Sequence, residues 1–262
     1  MGGPLYRRQP GSQPAMDAMT QTRPTAAMLV IGDEILSGRT RDSNMNHLAR
    51  ALTEHGLQLA EARVVADDRD AIIAAVRHLS GAWDYLFTSG GIGPTHDDIT
   101  AEAVAAAFDL PFGVRDDARA LLQAHYDQQG MELNEARLRM ARIPEGACLI
   151  DNPISAAPGF SVCNVHVMAG VPAIFEAMVA SVLPTITGGA PMLSQSLRVD
   201  KGEGDIADTL GRLAAAHPQV SIGSYPFYRN GAHGVNVVVR SQDAAAVDAV
   251  MAELHRHFAQ GE

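Results

Sequence analysis

The sequence predicts an α/β protein: a three-layer, mostly parallel sheet with helices on both faces, followed by a second, smaller α+β domain. Three observations lead there. Short apolar runs alternate with helix-length amphipathic segments from Ala26 to Val182. A glycine-rich turn, TSGGIGPT at residues 88–95, sits directly between one such strand and one such helix. Beyond Gly188-Gly189-Ala190 the order changes to β-α-β-β-α, too short for a doubly wound sheet.

The elements follow in order. Residues 27–32 are an apolar run too short for a helix, ending in Gly32-Asp33-Glu34. Residues 43–56 set Met45, Leu48 and Leu52 on one helical face, with Asp42 or Ser43 as N-cap and Gly56 as the stop. A strand over 57–65 ends in the turn Ala66-Asp67-Asp68. Ile72, Ile73, Val76 and Leu79 then mark a helix closed by Gly81. Strand 85–87, the glycine turn and helix 100–108 make a third unit. Residues 115–142 read as charged surface helices, and strands are expected at 147–150 and 160–168. A helix from Pro172 to about Val182 has proline at its first position, where the missing N–H costs nothing. After the boundary at 184–191 come strand 194–200, helix 205–216, strands 219–227 and 234–240, and helix 243–260. The expected organisation is a disordered polar tail (1–25), an α/β domain (26–187) and an α+β domain (192–262).

Composition narrows the function. The 262 residues, 47% apolar, suffice for one large domain or two small ones at roughly 100–200 residues each. A net charge of −10 argues against a nucleic-acid partner, which favours a basic stripe. Lys201 is the sole lysine, so a ligand phosphate must meet arginine or backbone. Cys148 and Cys163 are too far apart for a Cys-x-x-Cys site and read as small buried hydrophobes. No apolar run reaches the roughly 18 residues of a membrane span, and the first 25 residues hold no apolar signal region. The expectation is a cytoplasmic protein.

The candidate site centres on the glycine turn. Without a Cβ at Gly90, Gly91 and Gly93, backbone N–H groups can approach a phosphate. The turn lacks the last glycine of a dinucleotide fingerprint, and the chain has neither a Gly-Lys pair nor a Gly-x-Ser-x-Gly elbow. Asp98 or Thr100 could equally cap the following helix.

In an open parallel sheet, ligands bind at the carboxyl ends of the strands. Three acidic turns follow strands: Asp33-Glu34, Asp67-Asp68 and Asp97-Asp98. Six carboxylates on one rim raise one another's pKa unless a cation compensates, and Mg²⁺ suits such a place together with substrate phosphates. Asp68 and Asp97 are assigned to helix capping. Asp33, Asp67 and Asp98 are assigned to the ligand. Asp42 and Asn44 fit a cap or a ligand contact equally. Arg39 and Arg41 are the cations available to a terminal phosphate, and His96 reads as surface.

In these residues the chain resembles the molybdopterin-binding domain of molybdenum-cofactor biosynthesis proteins. More closely, it resembles the N-terminal part of the competence/damage-inducible protein A (CinA) family. The matching pieces are Gly32-Asp33-Glu34-Ile35-Leu36-Ser37-Gly38, Asp42-Ser43-Asn44, Val65-Ala66-Asp67-Asp68, the run 88–100, Asp151-Asn152-Pro153, Ala157-Pro158-Gly159-Phe160 and Gly170-Val171-Pro172. Residues 194–262, with Ser224-Tyr225-Pro226, look like that family's smaller second domain.

The resemblance implies a phosphorylated pterin or related nucleotide as ligand. It places Asp67 and Asp98 at the functional acids, as metal ligands and catalytic groups. Asp33, Glu34, Thr88, Ser89, Gly90, Gly91, Gly93, Pro94, Thr95, Arg39 and Arg41 are the expected ligand contacts. Relatives adenylylate molybdopterin or move metal into it, and a metal-dependent pyrophosphatase on ADP-ribose-like or flavin dinucleotides is the alternative. Pro-Gly before Val-Pro in the family reads Ala169-Gly170 here. The second domain's edge strands leave pairing with another copy open.

Overall fold

The computed structural model describes residues 23–229 and 232–258. Most of the expected tail (1–25) lies outside them. Arg23 and Pro24, however, belong to the fold: the Arg23 guanidinium donates to the carbonyls of Gly56 and Leu57, and Pro24 O accepts Gln58 N at 2.9 Å.

The first domain runs β1 (Thr25–Ile31), α1 (Asp33–Leu36), α2 (Asn44–Glu54), β2 (Gln58–Val65), α3 (Arg69–Ala82), β3 (Tyr85–Ser89) and α4 (Thr100–Ala107). It continues with β4 (Phe112–Val114), α5 (Asp116–Gln128), α6 (Glu135–Leu138), β5 (Arg142–Pro144), β6 (Cys148–Ile150), β7 (Gly159–Val162), β8 (Val165–Met168) and α7 (Pro172–Val182). The main sheet is ordered β2-β1-β3-β8-β7-β6. β2, β1, β3 and β8 are parallel, and β7 and β6 are added antiparallel.

Both faces are covered. Ala27, Leu29 and Ile31 pack with Ile72, Val76, Leu79, Val104 and Leu122 on one side. Ala26, Met28 and Val30 pack with Leu48, Leu52, Phe175 and Met178 on the other. That double burial is why β1 reads as a continuous apolar run rather than an alternation.

Four local expectations change. Residues 160–168 form a hairpin, not one strand: Cys163 takes φ +53 at the turn, and Asn164 Nδ2 donates to Ser80 O (2.9 Å) and Trp83 O (3.1 Å). Cys163 is therefore exposed at a turn and Cys148 exposed on the outermost strand, so neither is a buried hydrophobe. Met45 is 43% exposed, and Asn44 takes the inward position beside Leu48. The β4–β5 ribbon is an addition beyond the expected elements.

The second domain holds β9 (Leu193–Val199), α8 (Glu203–Ala216), β10 (Ser221–Arg229), β11 (Ala232–Ser241) and α9 (Ala244–Phe258). Its antiparallel sheet is ordered β10-β11-β9. Val199, Val235, Val237 and Val239 pack against Ile206, Leu213, Val247, Val250 and Leu254 of the two helices. Among the described residues no helix is long and apolar enough to cross a membrane.

One core group makes stability depend on pH. His166 on β8 is 5% exposed and packs at centroid distances of 6.0 Å from Tyr85 and 5.0 Å from Phe87. Its Nδ1 shares a 2.8 Å hydrogen bond with Ser161 Oγ, and Nε2 has no partner. Burial pushes its pKa down to about 4. The folded ring stays neutral where the unfolded ring, with a pKa of about 6.5, takes a proton. Its contribution is thus complete above pH 6.5 and is lost as pH falls from there toward 4, by at most about 3 kcal/mol. Urea unfolding at several pH values is expected to show a steeper acid loss for the wild type than for His166→Leu, and parallel profiles would refute the assignment.

Candidate functional site

In the order β2-β1-β3-β8-β7-β6, the chain leaving β1 runs to β2 on one side, and the chain leaving β3 runs to the β6–β8 strands on the other. A crevice opens at such a switch point, at the carboxyl ends of the strands. Here it is a cleft of about 520 Å³ open to solvent. Ile31, Gly32 and Glu34 after β1, Asp67 after β2, and residues 90–94 after β3 all line it. Asn152, Ser155 and Ala157 from the loop after β6 and residues 169–172 after β8 close the far wall.

Glycine holds the turn together for reasons internal to the fold. Gly90 has φ +108, and a Cβ there would lie 2.2 Å from Ile31 O. Gly91 has φ +68, and its Cβ would meet Thr100 Oγ1 at 2.1 Å. A Cβ on Gly93 would fall 2.7 Å from Asp98 Oδ2. The turn is pinned by Gly90 N to Met168 O (3.1 Å), Thr100 N to Gly91 O (3.0 Å) and Thr100 Oγ1 to Gly90 O (3.0 Å). The expectation that these glycines serve the ligand's approach is therefore incomplete, because the backbone and α4 already occupy the space.

The acids divide differently from expectation in one case. Asp68 caps α3, accepting Ala71 N at 2.8 Å, as expected. Asp97 does not fill the capping role expected of it: α4 has Ile99 at its N-cap position, and Asp97 lines the cleft. Asp98 also lines the cleft, and its Oδ2 accepts Thr95 N (2.8 Å) and Thr95 Oγ1 (2.5 Å). Asp67 accepts the backbone N–H of Asp33 at 2.9 Å. Its carboxyl is held above the usual aspartate range, first by desolvation and then by the charges of Asp33, Glu34 and Asp97, against the Asp33 N–H bond.

Other expected contacts stand back from the cleft. Thr88 is fully buried with an unpartnered hydroxyl, because β3 is covered on both faces. Thr95 braces Asp98 and is not among the lining residues, and the same holds for the exposed Asp33 and Arg39. Ser89 and Arg41 line a smaller adjoining hollow of about 60 Å³. There Asn44 Nδ2 donates to Ser89 Oγ and Gly170 O, both at 2.8 Å, and its buried Oδ1 has no partner. Asp42, one residue before the N-cap position Ser43, accepts Met45 N at 3.1 Å. His96 is exposed. Asn152 and Gly170 are visible in the sequence only as resemblance motifs, and Arg139, Met140 and Arg142 carry no sequence signal at all. Among the described residues no group of three or more His, Cys, Asp or Glu side chains is placed to hold a metal.

This sheet and its crevice define the molybdopterin-binding class of α/β domain. The chain belongs to the family described as probable molybdopterin binding domain, whose model matches residues 27–188. The model of the FAD synthase middle domain matches residues 191–262. The crystal structure of CinA from Thermoplasma acidophilum, described as of unknown function, is 34% identical, with a TM-score of 0.57 over 62% of this chain and 98% of that one. A CinA-like protein of Desulfosudis oleivorans is 33% identical over 76% of this chain and 51% of its own length. A probable FAD synthase of Caenorhabditis elegans is 32% identical over 90% of this chain and 50% of its own length. The chain thus spans about half of these two curated relatives.

Proposed function

We propose that the cleft binds a phosphorylated pterin or related nucleotide, with phosphate at the 90–93 backbone and a divalent cation such as Mg²⁺ between Asp67, Asp98 and the phosphate. The observation carrying this reading is that Asp67, Asp98 and the glycine turn bound one cleft at the strand switch point. Asp67 fits a cation: it is partly desolvated, faces three other carboxylates and has a single backbone donor. A ready-made ligand cage is not required, because Mg²⁺ usually takes one or two carboxylates and completes its shell with phosphate and water. Calorimetric titration with pterin phosphates and nucleotides, with and without Mg²⁺, tests the reading. Binding that Asp67→Asn and Asp98→Asn both leave untouched would refute it.

A second reading is hydrolysis of a pyrophosphate bond in a dinucleotide. It is favoured by the FAD synthase middle-domain match and by the relative covering 90% of this chain. Mg²⁺ at this site would supply charge neutralisation to the phosphate oxygens. The chain's part is to hold the phosphates against the turn, keep Asp67 and Asp98 beside them, and leave space in the cleft for an in-line water. Mg²⁺-dependent release of AMP, with FMN from FAD or ribose 5-phosphate from ADP-ribose, is the expected result. Tight binding without release would leave the binding reading alone.

A further inference from the structure

Beside the cleft lies a second, much smaller hollow, of about 30 Å³, that shares Gly91, Ile92, Gly93, Asp98 and Met140 with it. Two arginines line it. Arg139 stands in the short 3-10 turn Arg139–Ala141, and Arg142 opens β5. Arg139 Nε is enclosed and has no hydrogen-bond partner. The Arg142 guanidinium lies over the Phe112 ring, 4.7 Å from its centroid, which fixes its plane. Neither forms an ion pair among the described residues.

The two acids in the same hollow are already engaged. Asp98 takes both donors of Thr95, and Glu102 faces Arg69 at 3.9 Å. An enclosed guanidinium N–H without an acceptor is costly, and in a protein of net charge −10 a pair of unpaired arginines in one concavity needs an anion.

We propose that Arg139 and Arg142 form an anion subsite that takes the second phosphate of a diphosphate ligand whose first phosphate rests on the turn. The inference rests on the reading of the neighbouring cleft as a phosphate site. It turns a general phosphate cleft into one that selects diphosphates, such as a dinucleotide or nucleoside diphosphate, over single-phosphate ligands. The expected phosphate cations Arg39 and Arg41 are not placed to reach this second phosphate. Arg39 lines neither cavity, and Arg41 lies in the hollow beside Asn44.

The experiment titrates the whole chain with inorganic pyrophosphate, a nucleoside monophosphate and a diphosphate dinucleotide, for wild type, Arg139→Gln, Arg142→Gln and Arg139→Lys. Each glutamine variant is expected to weaken pyrophosphate and dinucleotide by about tenfold or more, the scale of a lost charged hydrogen bond. Monophosphate affinity is expected to change less than about twofold, and Arg139→Lys, which keeps the charge but not the enclosed Nε–H, to retain more pyrophosphate affinity than Arg139→Gln but less than wild type. Failure of the wild type to bind pyrophosphate, unchanged pyrophosphate affinity in the variants, or equal loss for the monophosphate would overturn the subsite. If pterin phosphates and nucleotides fail to bind while pyrophosphate still depends on the arginines, the cleft reading falls and the subsite stands. Should Arg139→Gln not fold, Arg142→Gln alone decides the matter.

Discussion

Asp67→Asn is expected to lower Mg²⁺-dependent binding or turnover by about a hundredfold or more while the chain stays folded, the scale on which a phosphate-clamping charge acts. The amide can keep the one hydrogen bond the carboxylate accepts, from Asp33 N, since its oxygen can occupy the same place. What it removes is a charge held beside Asp33, Glu34 and Asp97 in a partly desolvated position. Easing that repulsion predicts a folding stability equal to or above wild type at neutral pH, where the carboxylate is charged. Stability with and without Mg²⁺, measured alongside binding, separates the two effects. A variant that unfolds readily while binding as well per folded molecule would make Asp67 a structural residue.

The second large effect belongs to Gly90. Alanine there places a Cβ 2.2 Å from the Ile31 carbonyl oxygen at φ +108, and neither the backbone of β1 nor the turn can give way cheaply. A loss of about 3 kcal/mol or more is expected, above the roughly 1–3 kcal/mol of a left-handed residue alone. Gly38 supplies the control: its φ is +72, with nothing within 4 Å of an added Cβ, so Gly38→Ala carries the conformational cost only. Denaturant midpoints for the two variants should differ clearly. Equal midpoints would mean that the contact with Ile31 is not what requires glycine at 90.

The legible parts of the fold are those whose physical cause is local. Strands β1 and β3 announce themselves because both faces are buried, and α7 begins at Pro172 as its first-turn preference dictates. The convergence of Gly32, Asp67 and the glycine turn follows from strand–helix alternation alone, since parallel strands end on one side. The hairpin at 159–168 is hidden because all but a two-residue turn is strand, and Asn164 is the only turn signal inside it. Three-residue strands such as β4 and β5 are shorter than any period that could reveal them. Within the site, Thr88 departs from expectation because β3 is covered on both faces, and Asn44 takes the inward place on α2 expected of Met45. Arg139 and Arg142 meet the glycine turn through tertiary packing nearly fifty residues away in sequence, and no spacing rule predicts that.

The seam between Gly56 and the linker has a practical consequence. Gly56 sits just before β2, at the start of the strands, and a Cβ there would lie 2.1 Å from Gly189 O, while Gly188 abuts His55 O. Tyr85, the first residue of β3, holds Thr187 N through its hydroxyl at 3.1 Å. The chain therefore departs from the pole of the first domain opposite the cleft, over a path packed closely against its backbone. A fluorophore on the exposed Thr187 would report on the seam without obstructing the ligand, whereas one in the 38–41 loop would stand at the entrance. For single-molecule or biosensor work, that geometry separates the handle from the mouth.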